Sequence, residues 1–343
     1  MKRLILALYI CLCAISTSHA GEVVHVFNWT DYIPSGTLAK FEQETGIKVV
    51  YATYESNEAM YTKVKLLGGN EYDVIVPSSY FVERMAREGL LRELEHSKIA
   101  NLNNIDSSYL NRDFDRNNKH SVPYTLGGSG ILTDTRTIDL ASAKSWADLW
   151  NPAFKNRIQL TDDVRDVFSL ALKVKGYSIN ETNPEHIKEA YELLKDLFPQ
   201  VRTFNAESPK TPFINEEVEV GMIWNGEAFL ASEEMNYLKF TWPSEGGLFW
   251  MDCFSIPKSA KNVENAYAFI NFMLRPEIAR EIVMAWGYAT ANKAALELLP
   301  EKYKKSSVIF PSSEVMAKSE FQGDVGDAIL IYNKYWNLLK GGQ

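Results

Sequence analysis

The sequence predicts an α/β protein made of two lobes. Three observations carry this: short β-branched runs alternate with helical periodicity from residue 23 onward, the 343-residue chain is too long for one core, and paired glycines interrupt the alternation at 127–128 and 246–247. A prior of roughly 150 residues per domain gives two domains.

The first half reads strand 23–27, helix 36–44, strand 47–51, helix 58–67, strand 73–76 and helix 81–88. This βαβαβ rhythm predicts a mainly parallel sheet with helices on both faces. A second set follows the glycines at 127–130: strand 157–160, helices 164–174 and 184–197, and strand 218–224. Gly246-Gly247 then precede an apolar stretch, 248–256, expected as a hairpin, and both glycine clusters read as crossovers between lobes. The lobes are therefore expected to be discontinuous, 21–127 plus 251–297 and 128–250 plus 298–343. Asn183-Pro184 supplies a capping residue before proline at a first helical position, and Arg275-Pro276 divides helix 263–274 from helix 277–286.

Residues 1–20 stand apart. Lys2 and Arg3 precede an apolar run from Leu4 to Ile15, and Ser18-His19-Ala20 ends it with small residues where a signal peptidase reads. The run is shorter than the roughly 20 residues of a membrane-spanning helix, so 1–20 is expected to be a signal peptide and the mature protein periplasmic. Cys11 and Cys13 fall within the leader, which leaves Cys253 alone and no internal disulfide to form. Without Lys2 and Arg3, 34 basic residues face 44 acidic ones, a net charge of −10. An acidic surface argues against nucleic acid and anionic lipid and suits a cationic ligand.

In open α/β sheets ligands sit beyond the carboxyl ends of strands. Those positions here carry Asn28-Trp29-Thr30-Asp31-Tyr32, Pro77-Ser78-Ser79-Tyr80, Thr161-Asp162-Asp163-Val164-Arg165-Asp166, Trp224-Asn225-Gly226-Glu227 and Phe249-Trp250-Met251-Asp252. Flat rings beside carboxylates suit an elongated organic cation, because the rings cover methylenes and attract ammonium groups while the acids pair with the charge. Each residue also has a plainer reading. A tryptophan near a strand end is more often a packing residue, Asp162 and Asp163 stand where a helix wants a cap, Asp166 could simply favour the helix dipole, and Tyr80 could be a hydrophobic staple. Trp146 and Trp150, at i, i+4 spacing, read as core packing.

Enzymatic readings find little support. His25, His96, His120 and His186 are widely spaced and make no zinc pattern, no nucleophile elbow or Walker motif follows a strand, and Cys253 lacks a nearby histidine. Asp163 and Asp166 lie on one helix turn, where they do not straddle a sugar bond. No metal, cofactor or catalytic residue is expected. A free amino acid as ligand would want an arginine at the cleft, and ferric iron would want paired tyrosines with a histidine or carboxylate.

The ordered motifs Asn-Trp-Thr-Asp-Tyr at 28–32, Tyr-Glu-Ser-Asn-Glu at 54–58, Val-Pro-Ser-Ser-Tyr at 76–80, Leu-Thr-Asp-Asp at 160–163, Gly-Met-Ile-Trp-Asn-Gly at 221–226, Phe-Trp-Met-Asp at 249–252, Trp-Gly-Tyr at 286–288 and Phe-Gln-Gly-Asp-Val-Gly at 321–326 span the mature chain. Their pattern resembles the periplasmic spermidine/putrescine-binding proteins of polyamine ABC transporters. The resemblance implies a type II periplasmic binding fold with a ligand cleft between its lobes. It assigns Trp29, Tyr32, Tyr80, Trp224, Trp250 and Tyr288 to an aromatic wall, Asp163, Asp166 and Asp252 to charge pairing, and Thr30, Ser78 and Gln322 to lesser polar contacts. Asp31 and Glu227 join the candidates from their strand-end positions. Three positions depart from the spermidine-preferring pattern: Asp166 replaces Glu, Ala206 replaces Ser, and Glu227 adds an acid where those members carry a small residue and putrescine-specific relatives carry Asp. The resemblance implies a monomer that delivers a polyamine to a membrane ABC permease. The alternatives are a binding protein that reports polyamines to a membrane receptor, or a sibling for another small cation.

Overall fold

A computed structural model of the chain describes residues 22–30, 32–66, 68 and 70–342. The expected signal peptide and Asp31 lie outside the described residues. Among those described, no helix is long and apolar enough to cross a membrane.

The chain opens with β1 (Val23–Trp29), α1 (Thr37–Thr45), β2 (Lys48–Tyr54), α2 (Asn57–Leu66), β3 (Val74–Ile75) and α3 (Ser79–Arg87). Short 3-10 turns lead to the long β4 (Ser121–Asp134), followed by β5 (Ile158–Leu160), α4 (Val164–Val174), α5 (Pro184–Leu197), β6 (Val201–Phe204), α6 (Thr211–Ile214), β7 (Val220–Trp224), α7 (Asn225–Glu234), β8 (Leu238–Thr241) and β9 (Leu248–Ser255). The remainder is α8 (Val263–Met273), α9 (Pro276–Trp286), β10 (Ala289–Thr290), α10 (Lys293–Leu298), α11 (Glu301–Lys304), α12 (Ser313–Lys318), β11 (Glu320–Phe321) and α13 (Ile329–Gly341).

Strands β2-β1-β3-β9-β4-β7-β5-β6 form the main path of one hydrogen-bonded sheet. Along this path the expectation of a mainly parallel sheet holds at the two ends, where β1 runs parallel to β2 and β3, and β5 to β6 and β7, and off it where β11 runs parallel to β9. In the centre, β9 is antiparallel to β3 and β4, and β4 is antiparallel to β7. The reason lies in the connections. Parallel neighbours need a helical crossover, whereas β4 and β9 carry the chain between the two halves as strands and so meet their neighbours antiparallel.

Each of these two strands serves two cores. Val122, Tyr124 and Leu126 of β4 and Met251, Cys253 and Phe254 of β9 pack with Val26, Phe41, Val74 and Phe269. Ile131 and Leu248 pack instead with Trp146, Phe168, Leu194 and Met222. Residues 249–252 are thus not the hairpin expected from sequence but the middle of β9, with Gly127 opposite Trp250 and Thr125 opposite Asp252. A Cβ on Gly127 would lie 2.2 Å from the Trp250 ring, so the glycine is what lets that indole lie across the neighbouring strand.

The helix signals act as read. Asn183 accepts from the Glu185 amide ahead of Pro184, and α9 starts at Pro276 and closes on Gly287 at φ 68°. Trp146 is buried with its indole N–H donating to the Gly246 carbonyl (3.1 Å), and Trp150 donates to the Leu193 carbonyl (3.0 Å), so both are packing residues.

Candidate ligand-binding cleft

One cleft gathers the candidates among the described residues. Trp29, Thr30, Tyr32, Ser78 and Tyr80 reach it from the ends of β1 and β3; Asp163, Asp166, Trp224 and Glu227 from the first turns of α4 and α7; Trp250 and Asp252 from β9; Tyr288 and Gln322 from the residues before β10 and after β11. The space between these residues, open mouth included, is about 820 Å³.

Asp252 is the least exposed of the acids lining the cleft, at 2 %. The Tyr32 hydroxyl donates to its Oδ2 at 2.7 Å and the Ser78 hydroxyl to its Oδ1 at 2.5 Å. Burial nevertheless outweighs those bonds and raises its pKa to about 7. Behind it stands Asn57, whose amide donates to Ser78 Oγ and to the Tyr80 hydroxyl, both at 3.0 Å, while its Oδ1 accepts from the Ser78 amide (3.1 Å).

Asp166 is held in the same manner from the other side. Ser129 Oγ (2.8 Å) and the Trp224 indole N–H (2.9 Å) donate to its Oδ2, and the Gln322 amide (2.9 Å) donates to its Oδ1. Burial, and then the charge of Asp163, raise its pKa to about 7. Its carboxylate therefore does more than favour the helix dipole. Asp163 keeps the plainer role as well, since its Oδ1 caps α4 by accepting from the Asp166 amide (2.9 Å), and burial raises its pKa too. Asp162 turns outward, exposed, to an ion pair with Lys340.

The rings form a continuous wall. Trp29 lies 4.8 Å from Tyr54 and 6.2 Å from Tyr32, Tyr32 lies 5.9 Å from Tyr288, and Tyr288 packs edge-on against Trp250 at 5.3 Å. Trp29 Nε1 and the Tyr54 hydroxyl both donate to the Val76 carbonyl, at 3.0 and 2.6 Å, which fixes their planes. A Cβ on Gly226 would lie 2.5 Å from the Tyr288 ring, so that glycine lets Tyr288 press on the start of α7. Arg165 is buried outside the cleft lining, its guanidinium 5.3 Å from the Tyr80 ring and bonding the Gly323 and Ile179 carbonyls at 3.1 and 3.3 Å.

Sequence reasoning missed Tyr54, Glu55, Asn57, Glu207 and Lys210, all of which line the cleft. Strand β2 runs to Tyr54 rather than 51, and β6 went unassigned. Correct ends for those two strands would have exposed both groups. Cys253 is fully buried in the first core and plays a packing role.

A family model described as bacterial extracellular solute-binding protein matches residues 37–311. The chain belongs to that family. It is 45 % identical, over 100 % of its length and 99 % of the relative's, to the spermidine/putrescine-binding periplasmic protein of Salmonella typhimurium. It is 33 % identical to a putrescine/cadaverine-binding protein of Pseudomonas aeruginosa over 99 % of both chains. Among solved structures, the spermidine/putrescine ABC transporter substrate-binding protein PotD of Streptococcus pneumoniae superposes with a TM-score of 0.78 at 38 % identity, covering 92 % of this chain and 100 % of that one. These neighbours and the family share the two-lobed α/β architecture of substrate-binding proteins.

Proposed function

We propose that the chain is exported, binds a linear polyamine in this cleft and hands it to a membrane ABC permease, without catalysing a reaction. The observation that carries the reading is the convergence of separately anchored acids on a ring-lined cleft: Asp252 held by Tyr32 and Ser78, and Asp166 held by Ser129, Trp224 and Gln322. Each acid keeps lone pairs for an ammonium group, and the rings between them cover methylenes and attract cationic charge. Among the described residues no arginine lines the cleft to receive a carboxylate, and no set of three His, Cys, Asp or Glu groups could hold a metal ion. Ligand contacts are assigned to Trp29, Thr30, Tyr32, Ser78, Tyr80, Asp163, Asp166, Trp224, Trp250, Asp252, Tyr288 and Gln322. The names of the Salmonella and Pseudomonas relatives support the ligand class, and that of the Streptococcus neighbour supports the delivery to a permease.

We assign residues 21–127 plus 251–297 to one lobe and 128–250 plus 298–343 to the other. Ligand bridging Asp252 and Asp166 then draws the lobes together about β4 and β9, near Gly127 and Trp250. The test is titration calorimetry of ligand-stripped protein with putrescine, spermidine, norspermidine and spermine. Saturable binding of at least one is expected; heats no larger than dilution for all four would end the reading.

A further inference from the structure

Among the described residues, Lys210 is the single lysine or arginine lining the cleft. Its ammonium lies 3.7 Å from Glu227 Oε1, with the two side chains only 26 % and 13 % exposed. Neither residue is loosely placed. Lys210 opens α6 at the end of a loop in which Asn205 Oδ1 accepts from the Ser208 amide (2.9 Å) and the buried Gln159 amide donates to the Pro209 carbonyl (2.8 Å). Glu227 stands in the first turn of α7, whose leading residue Asn225 is tied to the Gly128 amide (3.1 Å) and the Val308 carbonyl (2.9 Å).

We infer that Lys210 is the residue that sets which polyamine this cleft prefers: its ammonium serves as an internal cation at Glu227, taking the place of one ligand ammonium. The inference rests on the polyamine reading of the site. A primary alkylammonium on a four-carbon stem is the chemical equivalent of one end of a diamine, so Lys210 and a ligand amine compete for the same carboxylate. With Lys210 in place, Asp252 and the Asp163–Asp166 pair are the lining acids left that are shielded from solvent, Glu55 and Glu207 being exposed, and two ammonium groups satisfy them. A triamine brings a third charge, which gains a counterion shielded from solvent only if Lys210 leaves Glu227. Until then it meets a like charge in a poorly solvated slot, which disfavours it. The cleft therefore favours the diamine putrescine over the triamine spermidine, and it does so through a cation of its own rather than by lacking an acid.

The test is calorimetry with putrescine and spermidine on wild type, Lys210→Met, which keeps the stem and removes the charge, and the double variant Lys210→Met/Glu227→Gln. Lys210→Met is expected to raise the spermidine-to-putrescine affinity ratio at least tenfold, and adding Glu227→Gln to return it to within threefold of wild type. A ratio unmoved by Lys210→Met, in protein that binds both amines, overturns the inference and leaves the polyamine reading standing. A gain that survives Glu227→Gln overturns it as well, because Lys210 would then act on something other than Glu227. Wild-type protein that binds neither amine removes both the inference and the reading beneath it.

Discussion

Polyamine binding should expel protons, and the number follows from two sites. Asp252 and Asp166 each stand near pKa 7 in the cleft, Asp252 through burial and Asp166 through burial and the charge of Asp163. Asp163, Asp166 and Glu58, the last also raised to about 7 by burial and the charge of Asp163, form one coupled group and are counted as one site holding one proton. An ammonium group placed against either site favours the charged form, so the bound acids fall well below 7 while the amines, like lysine, stay protonated. A site with pKa about 7 releases about 0.9 proton on ligand binding at pH 6, about 0.5 at pH 7 and about 0.1 at pH 8. Two sites together release about 1.8, 1 and 0.2 protons, and the same titration makes binding about 100-fold tighter at pH 8 than at pH 6. Calorimetry in buffers of low and high ionisation enthalpy reads the proton count directly, and Kd across pH 6–8 checks it independently. In Asp252→Asn one site is gone, so the pH effect should shrink to about tenfold even though affinity itself falls. Equal heats in the two buffers together with a flat Kd from pH 6 to 8 would refute the argument, because the unliganded cleft would then leave its acids as hydrated as in water.

The same linkage bears on folding. The folded pKa of Asp252 lies above its unfolded value near 3.8, so its contribution to stability is present at low pH and is lost as pH rises through 7. Between pH 5 and 8 that loss is about 2.5 kcal/mol, and a non-titrating Asn escapes it. The stability of unliganded Asp252→Asn relative to wild type, from urea unfolding, should shift in the mutant's favour by that amount over the interval; a constant difference counts against a buried, titrating Asp252. Trp250→Ala removes a ring from the wall and Asp252→Asn a buried charge partner, and each should weaken polyamine binding more than tenfold by calorimetry. Two variants with wild-type affinity would show the cleft to be misassigned. Gly127→Ala drives a methyl into the Trp250 indole, 2.2 Å away, so it should displace that ring and weaken binding comparably, with unfolding by circular dichroism still a single transition. Wild-type affinity in that variant would mean the indole's place against β4 is irrelevant to the ligand.

How far the sequence revealed this site depended on where strands end. Local signals were sufficient for α4 and α5, whose capping residues and periodicity predicted spans that the structure reproduces at 164–174 and 184–197. The strand-end rule located Trp29, Tyr80, Asp163 and Trp224 because β1, β3, β5 and β7 end close to where their β-branched runs end. It failed at Asn57 and Lys210 for a physical reason. The end of β2 carries the half-polar run Ala52-Thr53-Tyr54, and β6 is a four-residue strand, Val-Arg-Thr-Phe, paired along one edge to β5, so neither has the buried apolar run that marks a strand in sequence. Register with a neighbour, not composition, decides how far such strands extend. The central antiparallel strands were hidden for a related reason. Leu248–Ser255 is buried throughout, and a fully buried strand reads the same whether it turns back as a hairpin or passes between two cores. Pairing of Trp250 with Gly127, some 120 positions away, separates the two cases, and such a contact has no local trace. That one long-range pairing places a ring and an acid from β9 between the residues contributed by the two halves, so the central part of the cleft is assembled by the contacts a linear reading is least able to see.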